Sequence, residues 1–341
     1  MSEAGRPPHI PALDGWRGLA VLLVLMGHFG GDNYLPGLGS AGVDLFFVLS
    51  GRLMAEILFV REMPLGIFFF RRFSRVYPAL LIFVLVNMAI FSSTPLAPDL
   101  AAVFAALSFT LNYLIVTTHT FISIFDHIWS LCVEEHSYLL LGLLAFSLRG
   151  AGNRFVGLSI LLLGLTALAN GILQYDVYAQ DPFVVFWSSQ VAAAPILISA
   201  ALFLLIGQRS YGLPVEWLVP LIFFSGLAAR LFADVAWLFF GVKTLLLAIS
   251  VCSIESATRF SKILFEGSVI RRLGRMSFSI YLWQQPFYVL ARLDRLAELP
   301  ALAIAICLGL LSYYLIEQPA RTGLNAWFAK SKRQNAVSGT G

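Results

Sequence analysis

The stretch from Leu13 to Gly30, LDGWRGLAVLLVLMGHFG, constrains this chain more than any other, because a long apolar helix there carries an arginine near its start and a histidine near its end. On an α-helix eleven positions make almost three turns, so at about 100° per residue Arg17 and His28 return to within about 20° of one face, with a rise of roughly 16 Å between them. The two side chains are therefore predicted to look into the same space from different depths. Taken alone, the arginine reads equally well as a snorkelling residue at a membrane edge and the histidine as a satisfied interfacial one. An ionisable pair on one face of a membrane helix favours a site.

The rest of the chain is as apolar as that helix requires. Hydrophobic residues make up 59% of it and charged residues only 12%, about half the usual share in soluble domains. Its mean hydropathy is +0.82. The class is a polytopic membrane protein, all-α. The N-terminus MSEAGRPPHIPALDGWRG places proline and charge ahead of the first span with no small-residue cleavage pattern after it, so a cleaved signal peptide is not expected. Cys132, Cys252 and Cys307 stand singly in apolar stretches, which suggests neither a disulfide framework nor a metal site. The histidines likewise show no ligand spacing with a carboxylate, and no metal is expected.

Ten membrane helices are predicted, near 10–29, 41–60, 76–93, 129–148, 155–173, 184–206, 213–230, 232–252, 275–292 and 300–317. Basic residues accumulate in cytoplasmic loops, and this placement puts Arg71, Arg72 and Arg75, Arg149 and Arg154, Arg209, Arg259 through Arg275, and Lys330, Lys332 and Arg333 on one side. Both termini are then cytoplasmic. The apolar stretch 100–117 becomes a half-span, a surface helix or a re-entrant piece. Residues 1–330 form a single membrane-embedded domain without internal repeat, and 331–341 read as a disordered cytoplasmic tail.

Further stretches join the first helix. GVDLFFVLSGRLM, residues 42 to 54, places Asp44 near the outer side and ends on Ser50-Gly51, a small pair that permits close helix approach. Arg52 and Glu56, four apart, are expected to neutralise each other. RRFSRVYP, residues 71 to 78, reads as a basic loop closed by a proline that starts the next helix. HIWSLCVEEHSYLL, residues 127 to 140, puts Trp129 at an interface and Glu134 and Glu135 in the first turns of an apolar helix; His127, His136 and His119 read as interfacial residues and Lys243 as a snorkelling one. SFSIYLWQQPF, with Trp283, and YYLIEQPAR complete the set.

With these blocks in this order, the chain resembles the acyltransferase family 3 integral membrane proteins, which acylate surface polysaccharides, lipopolysaccharide and, in some members, antibiotics or signalling oligosaccharides. The resemblance rests on Arg17 and His28 with ten residues between them, GVDLFFVLSG, Arg72-x-x-Arg75, WSLCVEEHSYL, SIYLW and IEQP, and covers nearly the whole chain. It implies ten membrane helices, an acyl-coenzyme A donor on the cytoplasmic side and an acceptor hydroxyl toward the outer face. Many relatives carry an appended hydrolase-like domain, which is not expected here. Two positions depart from the family's pattern: Gln284 follows the late tryptophan where a histidine often stands, so that no second histidine is expected to be needed, and Arg52 stands where the family usually has an aromatic or aliphatic residue.

The chemistry is compatible with that resemblance. Coenzyme A carries phosphates that suit the planar fork of arginine, so Arg17, Arg71, Arg72 and Arg75 are the expected donor-binding residues. Histidine, with an ordinary pKa of about 6.5, suits a general base that takes a proton from a sugar hydroxyl and passes it to the leaving thiolate. His28 is the candidate base, with Glu134 orienting the imidazolium and Arg17 beside it; Asp44, Ser50, Trp129 and Trp283 are candidates for the acceptor side. The expected function is an O-acyltransferase, with acetyl-CoA as donor and a carbohydrate hydroxyl as acceptor, in the bacterial inner membrane, in contact with lipid and not with nucleic acid. A macrolide-like small molecule or a signalling oligosaccharide is the alternative acceptor. A transporter or flippase is the alternative class, but it would be expected to show broken helices in repeated halves.

Overall fold

The computed structural model describes residues 10–30, 37–178, 181–206, 241–253 and 265–338, and every regular element among them is helical. α1 (Pro11–His28) starts on a proline, whose fixed φ suits the first helical turn. It packs between α2 (Leu38–Ala55) and α12 (Ser268–Arg292). Trp16, wholly buried, stacks on Phe265 with ring centroids 4.2 Å apart. The α1–α12 crossing needs small residues: a Cβ on Gly274 would stand 1.7 Å from the carbonyl oxygen of Asp14, so only glycine lets the two backbones touch.

α2 continues into a π-helical turn over Glu56–Val60 and packs on α10 (Ala194–Leu205). The Ser50-Gly51 pair works as expected, since a Cβ on Gly51 would meet the carbonyl oxygen of Ile196 at 2.0 Å. Arg52 is fully buried and lies 3.5 Å from Glu56, with its guanidinium 4.9 Å from the centre of the Phe203 ring. Glu56 also pairs with Arg61.

α3 (Leu65–Phe91) starts eleven residues ahead of the predicted span at 76. The RRFSRVYP segment is therefore not a loop: Arg71, Arg72 and Arg75 lie inside a helix, and Pro78 is an interior residue rather than a starting one. Membrane helices tolerate such prolines where neighbouring groups re-satisfy the freed backbone. The helix starts instead after Pro64, its N-cap. α6 (Ile128–Ser147) and α7 (Asn153–Ile172, continued by a π turn over Leu173–Val177) match their predicted spans. The α6–α7 connection, with Arg149, lies against the Glu62–Leu65 connection ahead of α3.

The stretch 100–117 forms two short helices, α4 (Leu100–Leu107) and α5 (Leu111–Thr118), each about 12 Å long and too short to cross a bilayer. The span predicted at 184–206 is broken into α8 (Pro182–Trp187), α9 (Ser189–Ala192) and α10. Asn112 of α5, fully buried, explains how the break survives: its side-chain N–H groups donate to the Trp187 carbonyl at 3.0 Å and to Ser189 Oγ at 2.9 Å, groups that hydrocarbon would otherwise leave unsatisfied.

Residues 213–230 and 232–240 of two further predicted spans lie outside the described residues; α11 (Lys243–Cys252) is the described part. α12 begins seven residues before its predicted start. α13 (Glu298–Ser312) runs through a π turn over Tyr313–Glu317 into α14 (Gln318–Ser338). The helix thus enters the stretch expected to be a disordered tail. α14 packs back on α3, with Phe328 stacked on Phe70 at 4.1 Å and Asn325 Nδ2 donating to Ser74 Oγ at 3.1 Å.

Among the described residues three helices are by length and composition sufficient to cross a membrane: Leu65–Phe91, Asn153–Val177 and Glu298–Ser331. Large apolar side chains on their outer faces and on α6, among them Ile90, Leu143, Phe146, Leu162 and Leu315, are exposed. A surface of this kind fits hydrocarbon rather than water.

Candidate active site

Five helices converge on one cavity. Its wall takes Arg17 from α1; Val43, Phe46, Phe47 and Ser50 from α2; Arg72, Arg75 and Val76 from α3; Ser130, Leu131, Glu134 and Tyr138 from α6; and Ser277, Phe278 and Tyr281 from α12. The spacing explains the convergence, since positions three and four apart share a helix face: Arg72, Arg75 and Val76 on α3 and Ser130, Glu134 and Tyr138 on α6.

Charge in the cavity is unequal. Among the described residues Glu134 is its one carboxylate, and it is already shared: Ser50 Oγ donates to Oε1 at 2.8 Å, Tyr138 OH donates to Oε2 at 3.0 Å, and Arg72 Nη2 lies 3.7 Å from Oε2. Arg72 also reaches Glu135 Oε1 at 3.5 Å and sits 4.0 Å from the centre of the Tyr138 ring, a cation–π contact. Arg17 and Arg75 make no hydrogen bond or salt bridge with any described residue. Two guanidinium groups thus face the cavity without a salt bridge to a described carboxylate. At the same end Glu317, from the IEQP block, is buried and accepts a 2.7 Å bond from Ser279 Oγ.

His28 lies outside this wall, about one helical turn further along. The strip of α12 that lines the cavity at Ser277, Phe278 and Tyr281 continues to Gln284 and Tyr288, and those two residues hold the imidazole. His28 Nδ1 is 2.6 Å from Gln284 Oε1, and Tyr288 stacks on the ring at 4.2 Å. On α2 the same strip runs from Phe46 back to Gly39, where a Cβ would stand 3.4 Å from His28 Cδ2. Phe46 and Tyr281, edge-on at 6.1 Å, stand between the arginines and the histidine. Tyr281 is fixed in turn by Ser130 Oγ at 2.8 Å and by donating to the His127 carbonyl at 3.0 Å.

Arg17 and His28 therefore do share one interior strip at two depths, but the partner expected for the histidine is different. Glu134 is held by Ser50, Tyr138 and Arg72, and Gln284 takes the place beside His28. Arg71 is exposed on the outside of α3, its guanidinium 3.9 Å from Met63 Sδ and away from the cavity. Asp44 is engaged by Lys243, Nζ to Oδ2 at 2.5 Å, so the lysine, expected to snorkel, is paired inside the bundle. Of the other acceptor-side candidates, Ser50 lines the cavity, Trp129 stacks on Trp187 at 5.6 Å with Phe47 against its edge, and Trp283 is buried against Phe83 at 5.4 Å. His127, expected at the surface, is 3% exposed between Phe83 and Tyr281. His136 bonds Ser189 Oγ at 2.8 Å. In the turn ahead of α6, burial raises the Asp126 carboxyl to about 6, although the Ile122 N–H that it accepts at 2.7 Å pulls the other way.

Comparison with known proteins identifies the family of the chain. The family described as an acyltransferase domain, Acyl_transf_3, matches residues 10–318. The O-acetyltransferase OatA of Staphylococcus aureus strain MRSA252 is 25% identical to the chain over 98% of its length and 61% of the relative's. The OatA of strain NCTC 8325 / PS 47 gives the same identity and the same shares. The chain thus spans about three-fifths of the length of these curated relatives. No solved structure matches it. With the family match running through the α1 arginine, the cavity and the His28 strip, the chain is an all-helical membrane protein that belongs to the acyltransferase family 3.

Proposed function

We propose that the protein is an integral membrane O-acetyltransferase: the arginine-lined cavity holds the coenzyme A end of an acyl-CoA, and His28 acts as general base on a carbohydrate hydroxyl. The observation that carries this reading is the pair of guanidinium groups, Arg17 and Arg75, that face one cavity with no salt bridge to any described residue. A half-buried cation with no salt-bridged carboxylate favours an anionic ligand, and the phosphates of coenzyme A are one. The named relatives, both O-acetyltransferases, support an acetyl group as the cargo.

In this reaction the acceptor oxygen attacks the thioester carbonyl while His28 takes its proton. The carbon–sulfur bond then breaks, and the imidazolium returns the proton to the departing thiolate. The reacting carbonyl must pass Phe46 and Tyr281 to reach His28, so the pantetheine arm of the donor runs along the α2–α12 strip. The basic residues near the Arg17 end favour that end as the cytoplasmic one, in the inner membrane of a bacterium, with the acceptor, a surface or exopolysaccharide unit, presented from the other side.

Arg75→Ala is expected to raise the KM for acetyl-CoA by roughly ten- to a hundredfold, the value of one or two charge-assisted contacts to phosphate, with the acceptor KM unchanged. Steady-state kinetics of the purified protein with acetyl-CoA and a polysaccharide acceptor reads both constants. A raised acceptor KM with an unchanged donor KM would assign the arginines to the wrong substrate.

A further inference from the structure

We infer that Gln284 and Gln285 form a polar relay, anchored on the Ser123 carbonyl, that fixes the ring tautomer of His28 and presents its Nε2 as the proton acceptor; Gln284 is thus a positioning residue for the reaction, and the inference rests on His28 being its base. The chain of contacts runs Gln285 Nε2 to Ser123 O at 2.8 Å, Gln284 Nε2 to Gln285 Oε1 at 3.4 Å, and Gln284 Oε1 to His28 Nδ1 at 2.6 Å.

Side-chain amides present an oxygen on one side and an NH₂ on the other, so each link dictates the next. A backbone carbonyl only accepts. Gln285 must therefore turn its NH₂ to Ser123, which leaves its oxygen facing Gln284. Gln284 must then turn its NH₂ to Gln285, which leaves its own oxygen facing His28. An oxygen at 2.6 Å requires a donor, so Nδ1 carries the ring proton, and in the neutral imidazole the lone pair belongs to Nε2.

The anchor itself is held in place. Ser123 lies in the turn that Asp126 closes by accepting the Ile122 N–H at 2.7 Å, and the Phe125 N–H donates to the Ile122 carbonyl at 2.6 Å. Gln284 is fully buried and Gln285 nearly so, which keeps water from offering either amide a competing partner. Tyr288, stacked on the imidazole, restrains the ring's plane while the relay restrains its protonation. A carboxylate at the same place would fix the same tautomer and add a charge. The amide fixes it without one, which avoids a second buried anion next to a thioester path.

Two measurements on the full-length protein in detergent test the relay. Nitrogen-15 NMR of histidine-labelled protein, with the His28 signals assigned by their loss in His28→Ala, reads the tautomer directly. The expected spectrum of the neutral ring has Nδ1 protonated and Nε2 bare, and Gln284→Leu converts it to a mixture. In kinetics Gln284→Leu lowers kcat by about five- to tenfold, the share of rings that leave the reactive tautomer, with the acetyl-CoA KM unchanged, whereas Gln284→Glu, which still accepts from Nδ1, recovers most of the loss. A His28 ring protonated at Nε2, or a tautomer that ignores Gln284→Leu, would overturn the relay. If Gln284→Leu unfolds the protein, the wild-type spectrum and the Gln284→Glu kinetics still decide. Failure of the base reading is told apart by His28→Ala, whose full activity would remove the base while leaving the tautomer measurement standing.

Discussion

His28→Ala is expected to abolish acyl transfer, lowering kcat by about 10²–10⁴-fold, the usual worth of a positioned base, while leaving the protein inserted and folded. The fold should survive because the imidazole sits at the last residue of α1, half-buried, while the closest α1–α12 approach lies near the other end of α1, where Gly274 of α12 meets the Asp14 carbonyl and Trp16 stacks on Phe265. The loss should fall on kcat rather than on the acetyl-CoA KM, since Arg17 lies roughly 16 Å away by helix rise. The check is a thiol-release assay with acetyl-CoA alongside a thermal melt. Wild-type kcat in a folded variant would remove His28 from the chemistry. Glu134→Gln is the informative companion: because Glu134 is bound to Ser50, Tyr138 and Arg72, its change should disturb the donor end and leave the His28 tautomer as it was.

The second large effect is on stability. Arg72→Ala removes the cation that lies between Glu134 and Glu135 and over the Tyr138 ring. Breaking a buried ion pair from one side typically costs about 3–5 kcal/mol, because the remaining charge is left uncompensated. Side-chain exposures of 12% for Arg72, 16% for Glu134 and 21% for Glu135 place this case toward the lower end. The variant should therefore melt well below wild type in detergent. Adding Glu134→Gln and Glu135→Gln to Arg72→Ala should recover most of the stability and none of the donor affinity, since the neutral amides need no counter-ion and the cavity still lacks a guanidinium. An unshifted melt for Arg72→Ala alone would mean that water, not Arg72, solvates the two carboxylates.

What the sequence made legible was local. The Arg17–His28 face, the Ser50-Gly51 approach and the Arg52–Glu56 pair all follow from helical spacing, and all three are present in the structure. Punctuation misled where the membrane relaxes the rule: Pro78 reads as a helix start but sits inside α3, and the break at Ser188 is hidden because Asn112, 75 residues earlier in the chain than Trp187, repairs it. Arg72 and Arg75, expected to bind the donor, both line the cavity, while Arg71, next to them, turns outward because adjacent positions on a helix face different ways. Gln284 had no pattern of its own. Its one signal was that it stands where the family often has a histidine, and its contact with His28 joins positions 256 residues apart, a relation no periodicity reports. Asp44 and Lys243 were likewise noticed singly, and only the packing of α11 on α2 makes them a pair.

The proposed function requires the cavity between α1, α2, α3, α6 and α12 to hold the acyl donor. Titration of the purified protein in lipid nanodiscs with acetyl-CoA tests it most directly, comparing wild type with Arg17→Ala/Arg75→Ala at matched helix content. The account expects saturable binding to wild type that weakens at least about tenfold in the double variant. Equal affinity in both proteins, or no saturable binding to wild type, would contradict it.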